Sequence, residues 1–196
     1  MKVIAIADSD SYLKWAAAFL GTLPGVTERE LLLIETPVLP SDNQRAAALA
    51  VGGVPPVAAK LLEVTEESLF KAVEQCVAGN RLGDIGHAVQ QHVEAAGFSV
   101  VRSLVGHGIG RSMHEEPQIP NYGPPGKGIP LEEGMVLAVE PMVTAGRHMV
   151  RMGDDGWAIY SQDGSLAAHF EFTIAITAEG PRILTPWHES KAAAAA

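Results

Sequence analysis

Between Thr65 and Thr177 hydrophobic spacing changes once, at Gly97, and the change limits the folds open to the chain. Upstream, Leu69, Val73, Cys76 and Val77 recur at intervals of one to four, as do Leu82, Ile85, Val89 and Val93 at three and four. That is the period of a helix with one buried face. Thr65 is a candidate N-cap for the first helix, with Glu66 and Glu67 in its first turn, and Gly79-Asn80 and Gly97 are stop signals. From Phe98 onward the period drops to that of a strand. The segments 98-FSVVRSLV-105, 135-MVLAVEPMV-143, 156-GWAIY-160 and 167-AAHFEFTIAIT-177 are separated by glycine, proline and acidic turns. A helical hairpin followed by successive strands predicts an α+β arrangement, a curved and mainly antiparallel sheet packed on two helices.

The opening of the chain follows another plan. VIAIA at 3–7 and LLLIE at 31–35 are short strands of the buried type, and 8-DSDS-11 can cap a helix running to about Leu23, where Pro24-Gly25 stops it. This is a strand-helix-strand α/β unit, and it lacks a glycine-rich phosphate loop. Between Thr36 and Pro56 four prolines, an SDN cluster and Gly52-Gly53 mark a boundary. The expected division is an α/β segment at 1–48, the helix-and-sheet domain at 49–188 and a frayed alanine tail at 189–196.

Charge excludes one class of partner. Fourteen Lys plus Arg against 23 Asp plus Glu give a net charge of −9 with no basic stripe, so nucleic acid is not expected as a partner. No apolar run is long enough to cross a bilayer, and MKVIAIADSD lacks the form of a secretory signal. A soluble, cytoplasmic protein is the expectation. Cys76, the single cysteine, falls on the helical stripe and is read as a packed core thiol.

Three polar positions stand where the pattern calls for half-burial. In 167–177, Phe170, Phe172, Ile174 and Ile176 share one face and His169, Glu171 and Thr173 the other. Glu140 ends the row Val136, Ala138, Glu140. Either glutamate alone is accounted for by a solvated outer face; embedded among apolar neighbours, it must be paired or bound to a cation. His107 sits in 106-GHGIGRSMHEEPQIPNYG-123 among glycines that allow close backbone approach, or it is a turn residue donating to a carbonyl. Together His107, Glu140 and Glu171 form a one-histidine, two-carboxylate set that suits Mn²⁺, Fe²⁺ or Co²⁺ at least as well as Zn²⁺. Ions so held activate water for hydrolysis of an amide.

Four stretches, 64-VTEESLFKAV-73, 83-GDIGHAVQQHVEAAGFSVVRSLVGHGIGRSMHEEPQIPNYGPPG-126, 133-EGMVLAVEPMVTAG-146 and 163-DGSLAAHFEFTIAIT-177, resemble the type I methionine aminopeptidases of bacteria, in order and at that family's spacing. The resemblance spans about residues 50 to 185 and implies the C-terminal half of a pita-bread fold. It implies that His107, Glu140 and Glu171 are metal ligands, with Glu171 bridging, that Glu140 is also the acid-base group, and that His114 contacts the scissile carbonyl. Met113 and Trp157 would help wall the methionine pocket, although core packing accounts for them otherwise. The implied activity is removal of N-terminal methionine from peptides or nascent proteins.

The resemblance is incomplete. The family's two metal-binding aspartates should fall at Leu33 and Gln44; the nearest acids, Glu35 and Asp42, are each two residues away. Phe172 stands where the family usually has histidine. One ion at most, in place of two, and an impaired activity are expected. The alternative is an inactive fragment or fusion with a binding role or none. Residues 1–48 resemble, more weakly, the opening of a glycosyltransferase with two Rossmann domains. Half a sheet leaves unpaired edges, so self-association is expected.

Overall fold

The computed structural model describes residues 4–7, 32–35, 49–50 and 55–186. The helix expected at 8–23, the linker positions Gln44, Asp42 and Gly52-Gly53, and the tail at 189–196 lie outside the described residues. The chain divides at Ala59/Lys60 and again at Leu184/Thr185 into two units.

In the first unit, β1 (Ile4–Ala7) pairs in parallel with β2 (Leu32–Glu35), Ile4 opposite Leu32. This is the parallel pair expected of a strand-helix-strand segment. A third strand, β3 (Leu49–Ala50), runs antiparallel to β2 with Leu33 opposite Leu49. Leu33 and Glu35 both lie on β2.

The second unit carries the second helix and all but the first turn of the first. Helix α1 (Pro56–Gln75) starts nine residues before the expected N-cap. Thr65 is therefore interior: it is buried, and its hydroxyl donates to the Leu61 carbonyl at 2.6 Å. The cause is a stripe that runs further back than expected, through Ala58, Leu61 and Val64 to Leu69, Ala72 and Cys76, all buried. Pro56 suits the first helical position, where its missing N–H costs nothing. Cys76 is packed as expected; burial pushes its thiol up to about 12, and Sγ donates to the Ala72 carbonyl. Helix α2 (Leu82–Ala95) buries Leu82, Ile85, Val89 and Val93 as its spacing requires. The Asp84 carboxylate accepts from the Arg81 amide at 2.7 Å at its start. His92 Nε2 and Glu67 Oε2, 2.9 Å apart, link the two helices.

The strands form β4 (Ser99–Val100), β5 (Gly106–Gly108), β6 (Glu115–Ile119), β7 (Val136–Val139), β8 (Met142–Thr144), β9 (Val150–Met152), β10 (Ile159–Ser161), β11 (Ala167–His169), β12 (Phe172–Thr177) and β13 (Gly180–Ile183). A five-stranded sheet has the order β13-β12-β7-β5-β6, a three-stranded sheet β11-β8-β4, and β9 and β10 make a separate hairpin. Of three segments read from sequence as single strands, one is cut short and two are divided. Residues 98–105 are strand only at β4, after which the chain bends into β5 from Gly106; 135–143 break at Glu140-Pro141; 167–177 break at Phe170-Glu171. In each case the chain leaves the three-stranded sheet for the five-stranded one or the reverse, as strands do at bends between packed sheets. Pro141 fits the break because it has no N–H for a ladder. The expected face of β12 holds: Phe170, Phe172, Ile174 and Ile176 are buried, with Phe172 edge-on to Phe70 of α1 at 5.5 Å between ring centroids.

Candidate metal centre

The divided strands create a seam, and the candidate residues stand along it. Phe172 pairs with Val139 on one side of the break, and His169 pairs with Met142 on the other. Both pairs belong to one antiparallel register, so continuing it through the break sets Glu171 opposite Glu140. Two carboxylates opposed across a ladder repel each other. On the neighbouring strand His107 pairs with Ala138, two residues before Glu140. Gly106 permits this approach: a Cβ there would collide with the Ala138 carbonyl oxygen and touch Glu140 Cγ at 3.4 Å.

The side chains converge. His107 Nε2 lies 3.6 Å from Glu140 Oε1, and His169 Nε2 lies 3.4 Å from Glu140 Oε2. His107 Nδ1 is 3.0 Å from the Gly108 carbonyl. A carbonyl can only accept, so Nδ1 carries a proton and Nε2 is the ring nitrogen on the Glu140 side. The turn reading and the ligand reading of His107 are thus compatible. Asn121 Nδ2 donates to the Glu140 carbonyl at 2.9 Å, fixing the backbone where β7 ends. Burial holds the Glu171 carboxyl above the usual range; His169 and His107 oppose that and Glu140 adds to it.

Glu140, His169 and Glu171 each offer a ligand atom, all within 4.8 Å of one another. Donors arranged tetrahedrally around a single ion at about 2.1 Å lie roughly 3.4 Å apart, so the three side chains close on one by drawing together by about an ångström. His169 Nε2 is buried and makes no hydrogen bond, as a nitrogen awaiting a cation would. The residues present therefore fit a divalent ion. His169 was placed by sequence on the Glu171 face without a role; its spacing of two from Glu171 was the available signal.

The other candidates are distributed differently. His114, just before β6, is exposed and stacks at a tilt on His107 with ring centroids 4.2 Å apart. Met113 is 51% exposed and Trp157, in the β9–β10 turn, 87% exposed, so neither is a core residue within this unit. Phe172, at the position where histidine was expected, points into the core and leaves the seam to His169.

The chain is 56% identical over 140 residues to a methionine aminopeptidase of Clostridium acetobutylicum, covering 71% of this chain and 56% of that protein. Its structure is similar to that of methionine aminopeptidase from Thermotoga maritima, with a TM-score of 0.69 and 50% identity over 71% of this chain and 56% of that one. Likeness to prolidase from Pyrococcus horikoshii, at 23% identity and a TM-score of 0.55 over 71% of this chain and 35% of that one, concerns the fold alone. These likenesses identify the helix-and-sheet unit as part of a pita-bread fold, as the sequence led us to expect. The chain spans about half the length of the curated relatives it matches. Residues 41–178, most of the chain, match the profile of Metallopeptidase family M24, and the chain belongs to that family.

Proposed function

We propose that this chain carries the C-terminal part of a methionine aminopeptidase site and acts, with reduced efficiency, on N-terminal methionine of peptides or nascent proteins. The observation that carries the reading is Glu140 on the seam, with His107 beside it at 3.6 Å, Glu171 close by in one potential ligand group, and His114 stacked on His107. His107, Glu140 and Glu171 would hold a divalent ion such as Mn²⁺, Fe²⁺, Co²⁺ or Zn²⁺, which would polarise the carbonyl and lower the pKa of water. Glu140 takes a proton from the attacking water and returns it to the leaving amine. His114, exposed at the edge of the group, donates to the carbonyl oxygen as charge develops there. Met113 and Trp157 offer exposed apolar surface to the methionine side chain.

Reduced efficiency follows from the ligands that the sequence replaces. Leu33 and Gln44 stand where aspartates were expected, leaving donors for one ion in place of two. A second reading, a chain with the fold and no turnover, is favoured by the same replacement. Hydrolysis of a Met-Ala peptide with added Mn²⁺ or Co²⁺ separates the two. Metal-dependent turnover that disappears in Glu171→Ala supports the first reading, and turnover unchanged in that variant refutes its metal mechanism. Absence of turnover with every ion supports the second. We further infer a cytoplasmic protein that self-associates through its sheet. Among the described residues no helix is long and apolar enough to cross a membrane, and β6 and β13 are the outer strands of the five-stranded sheet. Light scattering that finds only monomer would refute the self-association.

A further inference from the structure

His169 lies outside the ligand set that the sequence suggests, yet its surroundings are those of a ligand. Its side chain is only 13% exposed, and its Nε2 is buried with no hydrogen bond. Leaving such an atom unsatisfied is costly, and a folded protein tolerates it where another partner completes the site. The contact with Glu140 Oε2, at 3.4 Å, is of ion-pair length and is not a hydrogen bond. Glu140 is thus flanked by two imidazoles, His107 on Oε1 and His169 on Oε2, and faces Glu171 across the ladder. The next residue able to turn toward the core, Phe172, does so, which leaves His169 as the strand's imidazole on the carboxylate side.

We propose that His169 is a metal ligand, and that one transition-metal ion is held by His169 Nε2 with Glu140, Glu171 and His107, a four-donor site contained within residues 107–171. Two imidazoles and two carboxylates suit Co²⁺, Mn²⁺, Fe²⁺ or Zn²⁺ and disfavour Mg²⁺ and Ca²⁺, which prefer oxygen alone. All four donors belong to one unit, so the site needs nothing from residues 1–59. The proposal rests on the metal-site part of the functional reading and not on turnover.

The test is Co²⁺ binding to the full chain, followed by visible absorption and by X-ray absorption at the cobalt edge, without substrate. The wild-type chain is expected to bind one equivalent with two imidazoles in its shell. His169→Gln, close to histidine in size, is expected to bind at least about tenfold more weakly and to show one imidazole. Thermal melts in EDTA establish that the variant folds; if it does not, the imidazole count of the loaded wild-type chain decides. A single imidazole in the wild-type shell, affinity unchanged in His169→Gln, or no cobalt bound by the wild-type chain would each overturn the proposal. Cobalt bound through two imidazoles alongside failure to cleave Met-Ala would refute the aminopeptidase reading and leave His169 as a ligand.

Discussion

Replacing Gly106 by alanine tests whether the seam depends on close backbone approach. The added methyl would collide with the carbonyl oxygen of Ala138 on β7 and press on Glu140 Cγ at 3.4 Å. The main obstacle is backbone, so a rotamer change cannot relieve it and the two strands must part. Overpacking of this kind costs about 1–3 kcal/mol. Loss of a ladder hydrogen bond between β5 and β7 adds about 1 kcal/mol, for roughly 2–4 kcal/mol together. In a unit of this size each kcal/mol corresponds to roughly 3–5 °C, so the melting temperature should fall by roughly 6–20 °C. Parting the strands also carries His107 away from Glu140, now 3.6 Å distant, and Co²⁺ affinity should fall about tenfold. The control is Gly110→Ala, where the methyl meets the movable carboxylate of Glu115 and should cost under about 1 kcal/mol. Urea denaturation in EDTA gives the stability difference and a cobalt titration the affinity. Equal stability losses for the two variants would refute the argument that backbone contact at Gly106 positions the histidine.

Three further outcomes follow from the fold. Thr65→Pro should cost about 3 kcal/mol beyond Thr65→Ala in denaturant, because residue 65 lies inside α1; equal losses would return the helix start to that position. Cys76 should resist a thiol reagent at pH 8 until the protein unfolds, since a pKa near 12 leaves roughly a thousandth of the thiolate of a free cysteine; rapid labelling of the folded chain would contradict its burial. Asp163 accepts from the Arg147 amide at 2.7 Å and from Ser165, which hold its carboxyl at about 2. A depressed carboxyl stabilises the fold above its unfolded pKa of about 3.9, and that contribution is lost as pH falls through about 2. Asp163→Asn should flatten this acid limb of the stability profile, and an unchanged limb would show that the turn does not hold the charge.

The parts of the fold that depend on local pattern were legible in the sequence. Leu82, Ile85, Val89 and Val93 announced α2, and the alternation in 170–176 named the buried face of β12. The start of α1 was not legible, because Thr65 has the chemistry of a cap and the stripe before it uses alanine and valine among prolines. The helix running from Pro56 and the hydroxyl bond to Leu61 show that it sits mid-helix. The candidate site was half legible. His107, Glu140 and Glu171 stood out as polar groups in apolar surroundings; His107 lies beside Glu140, while Glu171 groups with Glu140 and His169. His169 did not stand out, because an alternating strand gives every second residue the same prospects.

The sequence by itself determined periods and faces: two amphipathic helices, then strands with one apolar side, with carboxylates on the other. These properties are set by neighbours a few residues apart, which covalent geometry makes readable. Only the tertiary structure decided where strands 98–105, 135–143 and 167–177 break to pass between sheets. That choice depends on pairing between segments some 30 residues apart, whose register no local pattern encodes. It sets Glu171 opposite Glu140, turns His169 toward them and brings His107 alongside, so this cluster of side chains is a property of the seam more than of any one strand.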